Sequence, residues 1–185
     1  GVVRVQDAYI SSLKTRGYEV AVIEPGQFRT IPTPMYPEVR LALFARRRIA
    51  KIIEEARPDA IHLMTEGPLG WAARSVCMKN KIPFTTWYHT HLQLYVDMRL
   101  RGFLRPIYYL LRKFHSAAAR TMVSTGGLKR ELESTGFKNV AVVPLGVDIK
   151  LFVRNPAPPL PPLPKPVFVY FSRLAPEKNP EEFLE

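Results

Sequence analysis

Polar side chains follow several short apolar runs of this sequence, and their types suit the chemistry of sugars and phosphates. A carboxylate can orient hydroxyl groups by accepting hydrogen bonds, whereas guanidinium and ammonium groups bind phosphate oxygens. The candidate residues at these positions are Thr65, Glu66, His89, His91, Arg173 and Lys178. Their function depends on whether the fold brings them to one place.

The two histidines in TTWYHTHLQLY (85–95) raise metal binding as one interpretation of the sequence. A zinc site needs at least a third protein ligand, and the other candidates, His62, Cys77 and His115, show no recognisable zinc spacing. We therefore predict no metal. Residues i and i+2 share a face only while the chain stays extended. Because the strand is expected to end near Thr90, one histidine of the pair should face the ligand.

The segment SRLAPEKN (172–179) places Lys178 five residues after Arg173, close to the next predicted helix start. An arginine fork, an ammonium group and the free amides of a helix N-terminus can stabilise a departing diphosphate without a metal ion. The spacing alone is more often that of a solvated basic pair on a loop.

The segment TEGPLG (65–70) combines two polar side chains with a helix start. Pro68 suits the first helical position, and the free amides there could hold a hydroxyl group or an anion. Thr65 could instead serve only as the helix cap. Glu66 is well placed to orient sugar hydroxyls if it lies at the ligand edge of a sheet.

Short apolar runs alternate with helical periods along the chain, which predicts a doubly wound α/β domain with a parallel sheet. Ligands of such sheets bind beyond the carboxyl ends of the strands, where the candidate residues fall. The predicted strands are 19–24, 60–64, 83–89, 120–125, 140–144 and 167–173. The predicted helices are 2–16, 38–56, 68–80, 104–119 and 127–135.

The proline-rich segment NPAPPLPPLPKP (155–166) divides the chain. Dense prolines favour an extended, stiff connector, with an SH3-type ligand as the alternative. We therefore predict an N-terminal Rossmann-like domain over 1–154, a linker over 155–166, and the first βα unit of a second Rossmann-like domain over 167–185. Neither end resembles a natural terminus, so we expect a fragment that lacks the first strand.

The composition indicates a globular protein with an anionic partner. Hydrophobic residues make up 46% of the chain and its net charge is +11, with a pI near 10.0. The partner could be a nucleic acid, an acidic membrane or a phosphorylated substrate. The basic amphipathic stretch 99–120 is typical of a membrane surface helix or of an ordinary outer helix. Cys77 is the only cysteine, which fits a reducing, cytoplasmic compartment.

Five motifs in this order resemble the family 4 retaining glycosyltransferases of the GT-B fold. The similarity is greatest to the bacterial mannosyltransferase-like and plant sulfoquinovosyltransferase-like lipid glycosyltransferases. The motifs are TEGPLG (65–70), YHTH (88–91), FHSAAARTMVST (114–125), VVPLGVD (142–148) and FSRLAPEKN (171–179).

This resemblance implies specific roles for the residues. His89 matches the active-site histidine that contacts the transferred sugar, and Arg173 with Lys178 matches the basic pair that grips the donor diphosphate. Gly1 matches the glycine-rich turn that contacts the donor phosphate. Glu66 would lie on the acceptor side, with Thr65 beside it, and His91 receives no catalytic role.

The resemblance also implies the reaction. A hexose, such as mannose, would pass from a nucleotide sugar, GDP-mannose or a UDP-sugar, to a lipid or glycan acceptor with retention of configuration and no metal cofactor. The enzyme would be cytoplasmic and peripheral on the inner face of the plasma membrane, and this fragment alone would be inactive. The alternatives are a non-catalytic scaffold of the same fold and a nucleic-acid-binding module built on the turn and helix of 124–137.

Overall fold

The computed structural model of the chain describes residues 2–33, 36–89, 104–153, 164–172 and 179–184. A 3-10 turn at Pro25–Gln27 precedes the first strand. The helices are α1 Val2–Thr15, α2 Arg46–Ala56, α3 Pro68–Lys79, α4 Leu104–His115, α5 Gly126–Ser134 and α6 Pro180–Leu184. The strands are β1 Arg29–Thr33, β2 Tyr36–Leu43, β3 His62–Leu63, β4 Thr85–Trp87, β5 Arg120–Val123 and β6 Val140–Val142.

The central element is a parallel sheet with the strand order β3-β4-β5-β6. Among the described residues, the connections between neighbouring strands contain α3, α4 and α5 in turn. The predicted Rossmann-like α/β fold is therefore confirmed. The register aligns Leu63 with Thr86 and Thr86 with Thr121, so the carboxyl ends of β3, β4 and β5 lie side by side.

Two apolar clusters pack the helices against the sheet. In the first, α2 and α3 contribute Ile49, Ile53, Val76 and Cys77. Cys77 is fully buried in this cluster and packs as a small hydrophobic side chain, and burial raises the pKa of its thiol. The second cluster joins α4 and α5 to the last two strands through Tyr88, Leu111, Val123, Leu128, Leu132, Phe137 and Val140.

Helix α5 illustrates why the nucleic-acid interpretation of 124–137 is wrong. Thr125 caps the helix by accepting a hydrogen bond from the Leu128 amide at 3.2 Å. Leu128 and Leu132 are buried, and the helix connects the adjacent parallel strands β5 and β6. It therefore serves as an ordinary crossover helix of the sheet and not as a recognition helix of a three-helix unit.

The sequence interpretation is also wrong about 38–56, which is a strand followed by a helix. Strand β2 pairs antiparallel with β1, from Arg29 opposite Leu43 to Pro32 opposite Arg40, and α2 begins only at Arg46. The prolines of 31–37 obscure this hairpin in the sequence, because proline is depleted in strands although edge strands tolerate it.

Two further predicted strands are not formed. The segment 18–24 has no strand, and neither do residues 167–172. A strand needs a hydrogen-bonded neighbour, and no described residue pairs with either segment. The short helix α6 agrees with the predicted helix start after Asn179. The division into 1–154, 155–166 and 167–185 stays a prediction.

In the described part of the chain, no helix has both the length and the apolar character needed to cross a membrane.

Candidate functional site

The ends of β3 and β4 bring two of the predicted site residues together. Glu66 follows β3 by three residues and His89 follows β4 by two. Because β3 and β4 are neighbouring parallel strands, both residues lie at the same edge of the sheet, and the Glu66 carboxylate interacts electrostatically with the His89 ring. This is the edge at which parallel sheets bind their ligands.

A buried series of side-chain hydrogen bonds holds the Glu66 carboxylate in place. His115, at the end of α4, places its Nε2 3.2 Å from Oε1 of Glu66 and its Nδ1 2.8 Å from Oγ1 of Thr86. An ionised carboxylate can only accept, so His115 donates its Nε2–H to Glu66. Oγ1 of Thr86 is also hydrogen-bonded to Oγ1 of Thr121 at 3.3 Å. We call this set, Thr121–Thr86–His115–Glu66, the polar chain.

The burial of the polar chain makes it costly to disrupt. Thr86 and Thr121 are fully enclosed, and the His115 side chain is 1% exposed while that of Glu66 is 11% exposed. Polar groups at such depth need partners. The chain leads from the centre of the sheet to a carboxylate at its edge, and it therefore fixes where that carboxylate points.

The start of α3 fixes the backbone beside Glu66. A Cβ atom at Gly70 would lie 2.0 Å from the carbonyl oxygen of Thr65, so only glycine allows this approach. Helix α3 begins at Pro68 after Gly67, which has no side chain to cap it. Thr65 is exposed and lies before this position. The alternative that Thr65 merely caps the helix is therefore wrong.

His89 lies differently from His115. Its ring stacks on Trp87 with the centroids 4.8 Å apart and the planes 6° from parallel. Among the described residues, its Nε2 is buried without a hydrogen-bond partner. Burial lowers the pKa of His89, and the nearby Glu66 carboxylate opposes that change. The neutral ring therefore has one nitrogen available as a donor or acceptor.

His62 and Tyr9 complete the surroundings of Trp87. Both pack edge-on against its indole ring, with centroid distances of 6.0 Å for His62 and 5.1 Å for Tyr9. Nδ1 of His62 is 2.7 Å from Oγ1 of Thr85. Although His62 keeps an exposed face, partial desolvation and the neighbouring His89 lower its pKa to about 4. Both histidines at this edge are therefore neutral near pH 7.

Several predicted site residues lie outside the described residues. They are Gly1, His91, Arg173 and Lys178. The part of 99–120 that precedes residue 104 is likewise outside. In the part that is described, Leu111 and Phe114 of α4 are buried, whereas Tyr109 and Leu110 are about half exposed. The helix thus contributes one face to the core.

The role of His115 was not predicted from the sequence. This residue was only a candidate metal ligand there, and Thr86 and Thr121 were not among the candidate residues. One signal was available, since His115 lies near the end of the predicted helix 104–119, which leads directly into a predicted strand. Within the described ranges, no three His, Cys, Asp or Glu side chains cluster in a way that could hold a metal ion.

A surface cavity of about 420 Å³ lies between α2 and the segment before β1. It is lined by Val22, Gln27, Arg48, Lys51, Ile52 and Glu55. Two of these charges, Lys51 and Glu55, already pair at 3.6 Å, and no residue of the polar chain reaches the cavity. We therefore place the candidate site at the strand ends.

Comparison with known proteins gives the family. The chain is 28% identical over 142 residues to sulfoquinovosyl transferase SQD2 of Arabidopsis thaliana, a match that covers 69% of this chain and 28% of that relative. The chain thus spans less than a third of the relative's length. No solved structure matches. The sequence model of Glycosyltransferase Family 4 matches residues 1–151, which include Glu66, His89 and His115. The chain belongs to Glycosyltransferase Family 4.

Proposed function

We propose that this chain contains the acceptor-side domain of a retaining, metal-independent glycosyltransferase. The enzyme transfers a hexose, such as mannose, from a nucleotide sugar, GDP-mannose or a UDP-sugar, to a lipid or glycan acceptor. The observation that carries this proposal is that Glu66 and His89 follow the neighbouring parallel strands β3 and β4 in a family 4 chain. The name of the sulfoquinovosyl transferase relative supports transfer of a sugar group.

Glu66 and His89 take complementary roles in this proposal. The Glu66 carboxylate accepts a hydrogen bond from an acceptor hydroxyl, and the polar chain keeps it oriented. His89 hydrogen-bonds the transferred sugar through Nε2, which has no other partner among the described residues. A neutral imidazole suits this contact because it can donate from one nitrogen and accept at the other. Thr65, exposed beside Glu66, adds a hydroxyl on the acceptor side.

The donor contacts belong to residues outside the described part. We propose that Arg173 and Lys178 neutralise the charge that grows on the leaving diphosphate, and that Gly1 approaches the donor phosphate. Cations placed where charge develops stabilise the transition state more than the ground state. In this proposal residues 167–185 open the donor-binding domain and 155–166 link it to the acceptor domain.

The test uses the complete natural protein and two substitutions. His89→Ala and Lys178→Ala should each lower the transfer rate at least ~10²-fold, as is typical when a transition-state contact is lost. Lys129→Ala is the matched control, since Lys129 pairs with Glu133 on the exposed surface of α5 at 3.7 Å. Radiolabelled sugar transfer measures all three rates. Near-normal rates for both site variants would refute the assignment.

We also propose that the enzyme is cytoplasmic and attaches peripherally to an anionic membrane through 99–120. The exposed Tyr109 and Leu110 on α4, near a basic last turn with Arg112 and Lys113, support this location. Sedimentation with liposomes should recover more protein when acidic lipid is included. Equal recovery with neutral and acidic liposomes would contradict membrane attachment.

A further inference from the structure

Helix α3 contacts the last turn of α4 through one arginine. Arg74 donates from Nε to the carbonyl oxygen of Phe114 at 3.0 Å and from Nη2 to that of Lys113 at 2.8 Å. The last carbonyl groups of a helix have no partner within it. Arg74 therefore caps α4 from a neighbouring helix, at the two residues directly before His115.

Aromatic packing holds the Arg74 side chain in place. Its guanidinium lies 5.2 Å from the ring centre of Trp71, and Trp71 packs edge-on against Phe114 with centroids 5.2 Å apart. Phe114 in turn packs edge-on against His115 at 5.0 Å. The first two turns of α3 and the end of α4 are thus joined by two hydrogen bonds and by a continuous aromatic contact.

These two helix ends carry the two members of the Glu66–His115 pair. Glu66 lies just before α3 and His115 is the last residue of α4. A shift between the helix ends would therefore change the distance between the Glu66 oxygen and the His115 nitrogen. The rigid fork of an arginine can bind two carbonyl groups in one fixed geometry, which a lysine ammonium group cannot reproduce.

We propose that Arg74 is a positioning residue for the acceptor carboxylate Glu66 and acts through His115. This inference rests on the proposed function of Glu66. By fixing the last turn of α4, Arg74 sets the orientation of the His115 ring, and the ring sets the direction of the carboxylate.

The test compares Arg74→Gln and Arg74→Lys with Arg48→Gln in the complete natural protein. Arg48 is a matched control because it also donates to a backbone carbonyl, that of Gln27 at 2.5 Å, and lies 5.5 Å from an aromatic ring centre, that of Phe28. The ¹⁵N resonances of the His115 ring report its hydrogen bonds directly. We expect Arg74→Gln to shift these resonances and Arg48→Gln to leave them near their original positions.

Kinetics provide the second measurement. Arg74→Gln should lower kcat/KM for the acceptor by up to about 10²-fold, because small displacements of a positioning group are costly, while KM for the donor stays near its normal value. For the His115 resonances and for kcat/KM, Arg74→Lys should give values between those of the unmodified protein and those of Arg74→Gln. If Arg74→Gln does not fold, Arg74→Lys is measured in its place.

The two proposals can fail separately. Unchanged His115 resonances in a folded Arg74 variant would overturn this inference, whatever the enzyme does. If the unmodified protein transfers no sugar, the proposed function is refuted. If Arg74→Gln still shifts the His115 resonances in that case, the structural coupling between Arg74 and His115 remains. Equal effects of Arg74→Gln and Arg48→Gln on the ring would also overturn the positioning role.

Discussion

His115 and His89 lie close to the same carboxylate, yet their surroundings differ in kind. His115 is enclosed and uses both ring nitrogens, one to Glu66 and one to Thr86. His89 is half-buried, stacks on Trp87, and has a nitrogen without a partner among the described residues. A buried polar group whose bonds are satisfied within the protein contributes to the architecture. One with an unused nitrogen at a ligand edge is suited to bind something else.

The largest expected effect is a difference in the free energy of unfolding between a variant of His115 and a variant of His89. His115→Leu should lower the free energy of unfolding by about 2–4 kcal/mol, because it leaves the Glu66 carboxylate nearly buried and unpaired and removes a partner of Thr86. His89→Leu should cost about 1 kcal/mol or less, since it loses mainly one ring-stacking contact. Urea unfolding measured at one pH gives both values.

A reversed order would break this comparison. If His89→Leu destabilised the protein as much as His115→Leu, His89 would be part of the architecture, and its role in binding would lose its basis. The double variant Glu66→Gln with His115→Leu sharpens the result. It should cost less than the sum of the two single changes, because both act on one hydrogen bond.

A smaller effect concerns pH. The pKa of His62 in the folded protein is lowered to about 4, and that of His89 is also lowered, whereas an unfolded histidine titrates near 6.5. At a pH between the folded and the unfolded pKa, these histidines bind more protons in the unfolded state than in the folded state. Stability is therefore fully present above about pH 6.5 and falls as the pH drops towards about 4.

The measurement is the urea midpoint at several pH values for the unchanged protein and for His62→Gln. The His62→Gln variant should lose less stability between neutral and mildly acidic pH, because it lacks one of the two histidines, His62 and His89, whose pKa is lowered by folding. Carboxylates titrate in both proteins alike, so the difference between the curves isolates His62. Superimposable curves would show that the surroundings of His62 do not penalise its charge.

Much of the fold could be predicted from the sequence because the parallel sheet has a strong local signal. Apolar runs, helix periods and stop signals recur together from residue 60 to 142, and the structure places β3 to β6 there. The β1–β2 hairpin was missed because its prolines suppress that signal. The segment 19–24 has a strand-like composition, but it lacks a pairing partner among the described residues, and partners are not encoded locally.

The candidate site shows the same limit. Glu66 and His89 were predictable because the ends of neighbouring parallel strands must meet at one edge. His115 was not, since 49 positions separate it from Glu66 and only the crossing of α3 and α4 brings them together. Arg74 joins the two helices through the distant backbone carbonyl groups of Lys113 and Phe114. Such contacts depend on tertiary geometry and leave no periodic pattern in the sequence.

The positions of the two tryptophans have an optical consequence. Trp71 and Trp87 are the only two tryptophans in the sequence. Trp87 stacks on His89, whereas Trp71 lies under the guanidinium of Arg74. Indole emission responds to a cation or an imidazole at contact distance, so each ring is a natural fluorophore for one part of the molecule. A Trp71→Phe protein would report events at His89, and a Trp87→Phe protein would report movement between α3 and α4.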